Sequence, residues 1–172
     1  MKKYILWAVV MVWGWSGLYP AEGTDNRFGM GAHYWRTMDS VGSRDIERDG
    51  GSWFITYQRR VLPLLKWQAD LEILPREFAG SESEVFAPQV FAVAGGWVYG
   101  AVGAGILFSD GRFGSQPFYN LRAGLDWKVL PRTRLDLHVN YQVSEWKHIN
   151  RSDDRRFESD VLLFGAAVRM EF

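Results

Sequence analysis

The densest gathering of reactive side chains in this 172-residue chain is the run Trp146-Lys147-His148-Ile149-Asn150-Arg151-Ser152-Asp153-Asp154-Arg155-Arg156-Phe157-Glu158. An imidazole, a hydroxyl and several carboxylates this close could build a serine hydrolase. That chemistry needs a base within hydrogen-bond reach of the hydroxyl and an acid that orients the base. Ser152, however, lies in an Asp-Asp-Arg-Arg stretch with no regular period, so no rigid element holds it. The same residues suit a solvated surface loop of mixed charge. His33, His138 and His148 follow no metal-binding spacing. The run from Gly100 to Gly105 reads as small residues in a curved strand rather than a phosphate loop. Nothing in the sequence asks for a cofactor.

A second group of charges is spread along the chain with a strict period. Lys66, Asp70 and Glu72 alternate with Leu65, Trp67, Ala69, Leu71 and Ile73. Arg122, Asp126 and Lys128 alternate with Tyr119, Leu121, Ala123, Leu125, Trp127 and Val129. Arg134, Asp136 and His138 alternate with Leu135, Leu137, Val139, Tyr141 and Val143. Arg169 sits between Val168 and Met170 in a stripe that continues to Phe172. Period two places all the charges of one segment on one face of a β-strand. If those faces meet in an enclosed interior, the charges either neutralise one another as a plug or line a narrow polar pathway.

The same period defines eight strands. They run over Phe28–Met38, Ser52–Val61, Leu65–Ile73, Val85–Ala94, Trp97–Phe108, Tyr119–Val129, Arg134–Ser144 and Glu158–Phe172. In the first, Phe28, Met30, Ala32, Tyr34 and Met38 face one way and Gly29, Gly31, His33 and Thr37 the other. The fourth and fifth are apolar or glycine-rich on both faces, so their facing stays open. Short turns fall at Leu62-Pro63-Leu64, Gly95-Gly96 and Leu130-Pro131-Arg132-Thr133. The other connectors, 39–51, 75–84, 109–117 and 147–157, are longer and polar. Short turns at one end and long loops at the other are the habit of a membrane β-barrel, and an even strand number returns both termini to the short-turn side.

Composition narrows the choice. No cysteine is present, so no disulfide staples the fold. The formal charge is zero, with no basic excess to attract nucleic acid. At the start, Lys2 and Lys3 precede an apolar stretch from Tyr4 to about Trp15, and Ala21-Glu22-Gly23 offers small residues for a cut. That layout reads as a secretory signal over 1–23, with Ala21 an alternative cut point and a retained anchor the rival reading. The apolar run is shorter than the ~20 residues a spanning helix needs. Residues 24–172 then form one domain. Aromatics make up 16% of the chain and cluster near strand ends, at Trp53, Trp67, Tyr119, Trp127, Tyr141 and Phe172. Rings at two depths suit headgroup level in a bilayer, so the apolar stripes are expected to face lipid and the charged stripes the lumen.

The alternation in Tyr119–Trp127, the stretch Leu135–Tyr141 and the ending Val168-Arg169-Met170-Glu171-Phe172 resemble the small outer-membrane barrels of the OmpA, OmpX and OmpW type. The resemblance covers the whole of residues 24–172. It implies an eight-stranded antiparallel up-and-down barrel in the bacterial outer membrane, monomeric, in contact with outer-membrane lipid and lipopolysaccharide. It also implies that Met170 and Phe172 belong to the signal read by the barrel-insertion machinery, although Met170 stands where such endings carry an aromatic. A structural or surface-interaction role is the leading expectation. An OmpW-like pore or carrier for an apolar solute is the alternative. Lipid A deacylases share the outline of a barrel with histidine and serine near the C-terminus, but theirs places serine two residues after histidine. Position 150 here is Asn150, so the expectation is not an enzyme. Arg36, Arg44, Arg112, Arg151 and Arg155 lie in or beside the long loops. Arginine suits bidentate contact with lipopolysaccharide phosphates, while interleaved acids allow a purely solubilising role.

Overall fold

The computed structural model describes residues 26–37, 49–76, 83–114, 117–146 and 157–172. The alternating segments form β1 (Asn26–Thr37), β2 (Asp49–Leu62), β3 (Leu65–Leu74), β4 (Val85–Gly95) and β5 (Val98–Gly105). A two-residue pair, β6 (Phe108–Ser109) and β7 (Arg112–Phe113), follows, then β8 (Phe118–Leu130), β9 (Thr133–Trp146) and β10 (Phe157–Glu171). Each long strand pairs antiparallel with its neighbour, in the order β3-β2-β1-β10-β9-β8-β5-β4, and β3 pairs with β4. The sheet therefore closes into one eight-stranded barrel, with β6 and β7 as a small hairpin above β4. Closure removes the unpaired edges that an open sheet of this apolarity would expose.

Three tight turns connect β2 to β3, β4 to β5 and β8 to β9 at one end. At that end Gly95 takes a positive φ of 126° and its N–H donates to the Leu64 carbonyl at 2.8 Å. The register slips by one residue between Arg60 and Leu62 and between Lys128 and Leu130. Such bulges bend a barrel wall at its rim.

β5 is shorter than the strand expected over 97–108, and Pro88 accounts for it. Gln89 is opposite Gly105, so Pro88 would pair next with Ile106. The Ile106 N–H does donate to the Pro88 carbonyl at 3.1 Å. The reciprocal bond cannot form, because proline has no N–H to give. The ladder stops there, Leu107 turns into the interior, and the chain rejoins β4 as β6.

The polarity is inverted relative to a soluble protein. Met30, Trp53, Val90, Leu121, Phe164 and Val168 are exposed on the outer wall. Charged and amide side chains are buried inside. The structure also fixes the facing of the two strands that the sequence left open. Val85, Ala87, Gln89, Phe91 and Val93 of β4, and Tyr99 and Ala101 of β5, point inward.

Candidate functional site in the lumen

Among the described side chains, alternate residues of each barrel strand project into the lumen along its enclosed length, and an eight-stranded barrel is only wide enough for those side chains to fill it. The filling is layered. Near the short-turn end Asp126 is the hub. Arg27 Nη1 lies 2.8 Å from Asp126 Oδ2, Arg134 Nε 2.8 Å from Oδ1 and Lys66 Nζ 3.4 Å from Oδ2. Glu171 draws Arg27 from the mouth at 3.1 Å. Lys128 is half exposed there, 3.8 Å from Glu171, so it stands at the rim rather than in the lumen.

Deeper in, Arg122 reaches Asp70 at 2.9 Å, donates to the Asn140 side-chain oxygen at 2.6 Å and lies 4.0 Å over the Phe91 ring. Arg169, with no exposed surface, bonds Asp136 at 2.8 Å. Tyr99 donates its hydroxyl to the same Asp136 oxygen at 2.8 Å, passing over Gly124, where a Cβ would lie 2.6 Å from the phenol.

At the next level the groups join into a belt. Asn120 donates to Gln89, which donates to Glu72 at 2.8 Å. Ser52 donates to Glu72, and His33 Nδ1 lies 2.8 Å from it. His33 Nε2 meets His138 Nε2 at 2.8 Å, and His138 Nδ1 meets Asp136. With Tyr99 and Arg169 on Asp136, the belt takes one side chain or more from each of the eight barrel strands. Above it, toward the long connectors, Trp35, Leu74, Val85, Phe118, Val161 and Leu163 form an apolar cap.

Most of the charges marked in the sequence meet in this interior: Lys66, Asp70, Glu72, Arg122, Asp126, Asp136, His138 and Arg169 are buried, and Arg134 is partly so. Sequence reasoning passed over Arg27, because the first strand was drawn from Phe28; the period of that strand already placed it on the inner face. It also passed over the cap. Its aromatic and aliphatic members look like lipid-facing residues until their parity is counted from a charged neighbour. Arg36 and Arg112 are exposed toward the long-connector end. Arg44, Arg151, Arg155, His148 and Ser152 fall outside the described residues. Among the described residues no three histidine, aspartate or glutamate side chains are placed to hold a metal.

An apolar outer wall, a closed sheet and a charged, packed lumen define a transmembrane β-barrel of the bacterial outer membrane. No helix among the described residues is long and apolar enough to cross a bilayer. No family model and no curated protein matches the chain. Among solved structures it is similar to Neisserial surface protein A, with 17% identity and a TM-score of 0.59 over 88% of this chain and all of that one. Looser matches are the attachment invasion locus protein Ail of Yersinia pestis, with 17% identity and a TM-score of 0.49 over 87% of this chain and 99% of that one, and the N-terminal barrel domain of Pseudomonas aeruginosa OprF, with 11% identity and a TM-score of 0.48 over 87% of this chain and 100% of that one. At these identities the likeness is one of fold.

Proposed function

We propose that this barrel is a closed, monomeric, non-enzymatic scaffold of the outer membrane, with a structural or surface-interaction role carried by its four long connectors. The filled lumen carries the reading. Asp136, Gln68 and Arg169 have no solvent-exposed surface. A water-filled pathway past them would have to break ion pairs whose loss costs about 3–5 kcal/mol each. An apolar solute would have to displace Trp35 and Phe118 from the cap. The open apolar depression lined by Ala92, Ala94, Gly100, Val102 and Ala123 faces outward, toward lipid. Partners are then met at the two rims. Arg36, Arg112, Arg44, Arg151 and Arg155 would contact lipopolysaccharide phosphates, and the outward-facing Met170 and Phe172 would meet the insertion machinery. In planar bilayers the purified protein is expected to give no resolved channel openings. Stepwise conductance that responds to Asp136→Asn would overturn the closed reading. Mass spectrometry of lipid A from expressing cells is expected to show no lost acyl chain; a loss abolished by His148→Ala would establish an enzyme.

A further inference from the structure

The contact between His33 and His138 spans the seam where the barrel's first and last strands join. His33 on β1 and His138 on β9 are both in register with Gly165 on β10, which lies between them. A Cβ at Gly165 would fall 2.3 Å from His138 Nε2 and 2.5 Å from His33 Cδ2, so only glycine lets the two rings meet across the intervening strand. Phe54 covers them from the other side, stacked on His33 with ring centroids 4.3 Å apart.

We propose that the two imidazoles share one extra proton, and that this proton acts as a pH-operated latch across the β1–β10 seam. Two neutral rings are one proton short of the hydrogen bonds they span. Glu72···His33···His138···Asp136 is a line of three hydrogen bonds and needs three protons. Two neutral imidazoles bring two. If each is spent on the flanking carboxylate, the two Nε2 lone pairs face each other at 2.8 Å, which is repulsive. A third proton closes the line, wherever along it the protons rest. The surroundings supply a reason to hold it. Among the described residues Glu72 is met by His33, Ser52 and Gln89, none of them a lysine or arginine, whereas Asp126 is met by three cations. A buried carboxylate needs a charged partner, and the shared proton makes the imidazole pair that partner.

The other charged or titratable groups facing the pair are Asp136 on β9, Arg169 on β10, Arg122 on β8, Tyr99 on β5 and Asp70 on β3. The arginines are already engaged by Asp70 and Asp136. The sign of the response follows from the count. Rising pH removes the third proton and leaves opposed lone pairs. Falling pH adds a fourth and leaves opposed N–H groups. The latch is closed between these limits and opens on either side.

The test uses the full barrel in detergent or nanodiscs, with 15N-labelled histidine in a His148→Ala background, so that only the two luminal rings of the chain's three histidines remain. At neutral pH we expect three ring protons on the two rings, one of them a far-downfield Nε2 proton coupled to both Nε2 nitrogens. Two neutral rings protonated at Nδ1 alone would overturn the proposal. Urea unfolding of the wild-type barrel is expected to show an unfolding constant that rises about tenfold on each side of an intermediate pH plateau, the loss of one charge-assisted hydrogen bond. A flat profile would overturn it. Gly165→Ala, which forces the rings apart without removing a titratable group, is expected to remove the shared-proton signal and flatten the profile. A variant that keeps both would equally overturn the latch.

Discussion

The individual charges in the lumen behave as members of a circuit, and Asp126 is the clearest case. It answers Arg27, Lys66 and Arg134 together. Asp126→Asn keeps the shape and leaves three under-compensated cations around a neutral amide, with Arg27 and Arg134 keeping only Glu171, so a loss of about 3–5 kcal/mol is expected. Equilibrium urea unfolding in detergent micelles measures it. Adding Lys66→Met to that variant removes one of the stranded charges and is expected to restore part of the loss; a further drop of full size would mean that Asp126 matters by shape alone. At this scale the sequence is legible where parity suffices. Alternation marks Arg122, Asp136 and Arg169 as inward without any knowledge of partners. It does not say who meets whom. His33 was legible as inward, but its meeting with His138 depends on the register of β1, β10 and β9 together and on a glycine between them. Those are relations between strands, which a period within one strand cannot carry.

At the level of the element, strand positions were recovered to within a few residues because the outer face must be apolar and the inner face polar at every step. The open facing of two strands has one cause. β4 and β5 put Val85, Phe91, Val93 and Ala101 inside as well as apolar residues outside, so their alternation is one of size rather than polarity. The early end of β5 was hidden for a different reason. Pro88 sits on the neighbouring strand and acts through a missing donor, which no inspection of 97–108 itself can show. Pro88→Ala restores that donor, so the new amide at position 88 is expected to pair with the Ile106 carbonyl and become slow to exchange with solvent deuterium. Fast exchange there would mean that something other than the proline ends β5. The outer stripe has its own test. Leu137 lies on the lipid face of β9, flanked in register by Leu125 and Ala166. Leu137→Arg is expected to cost about 2–4 kcal/mol, and Val129→Arg near the short-turn rim only about 0–1 kcal/mol, measured by reversible unfolding in lipid. Equal costs at both depths would contradict a bilayer against that face.

For the whole molecule the governing fact is that the solvent of the outer wall is lipid, so the sense of inside and outside is reversed for every aromatic residue. Tryptophan makes this measurable, because chemically identical rings sit on both sides of one thin wall. Trp35 is 1% exposed and belongs to the luminal cap, while Trp53, two-thirds exposed, looks outward on the adjacent strand β2. Ala32, three residues from Trp35 on β1, is the register partner of Trp53, so the two residues are offset by about 10 Å along the strands. Variants that keep only one tryptophan, the others replaced by phenylalanine, can be refolded into vesicles whose acyl chains carry bromine quenchers. The Trp53-only barrel is expected to be strongly quenched at a depth that matches its height on β2, and Trp127-only likewise nearer the opposite face. The Trp35-only barrel is expected to resist the same quencher, because the sheet stands between the ring and the bromines. It is also expected to resist an aqueous quencher such as iodide, since the cap excludes water. Strong iodide quenching of Trp35 would mean that the outer end of the lumen is open to solvent. Strong bromine quenching would mean that β1 faces lipid with the side assigned here to the lumen, and the inward register of Arg27 and His33 on that strand would fall with it.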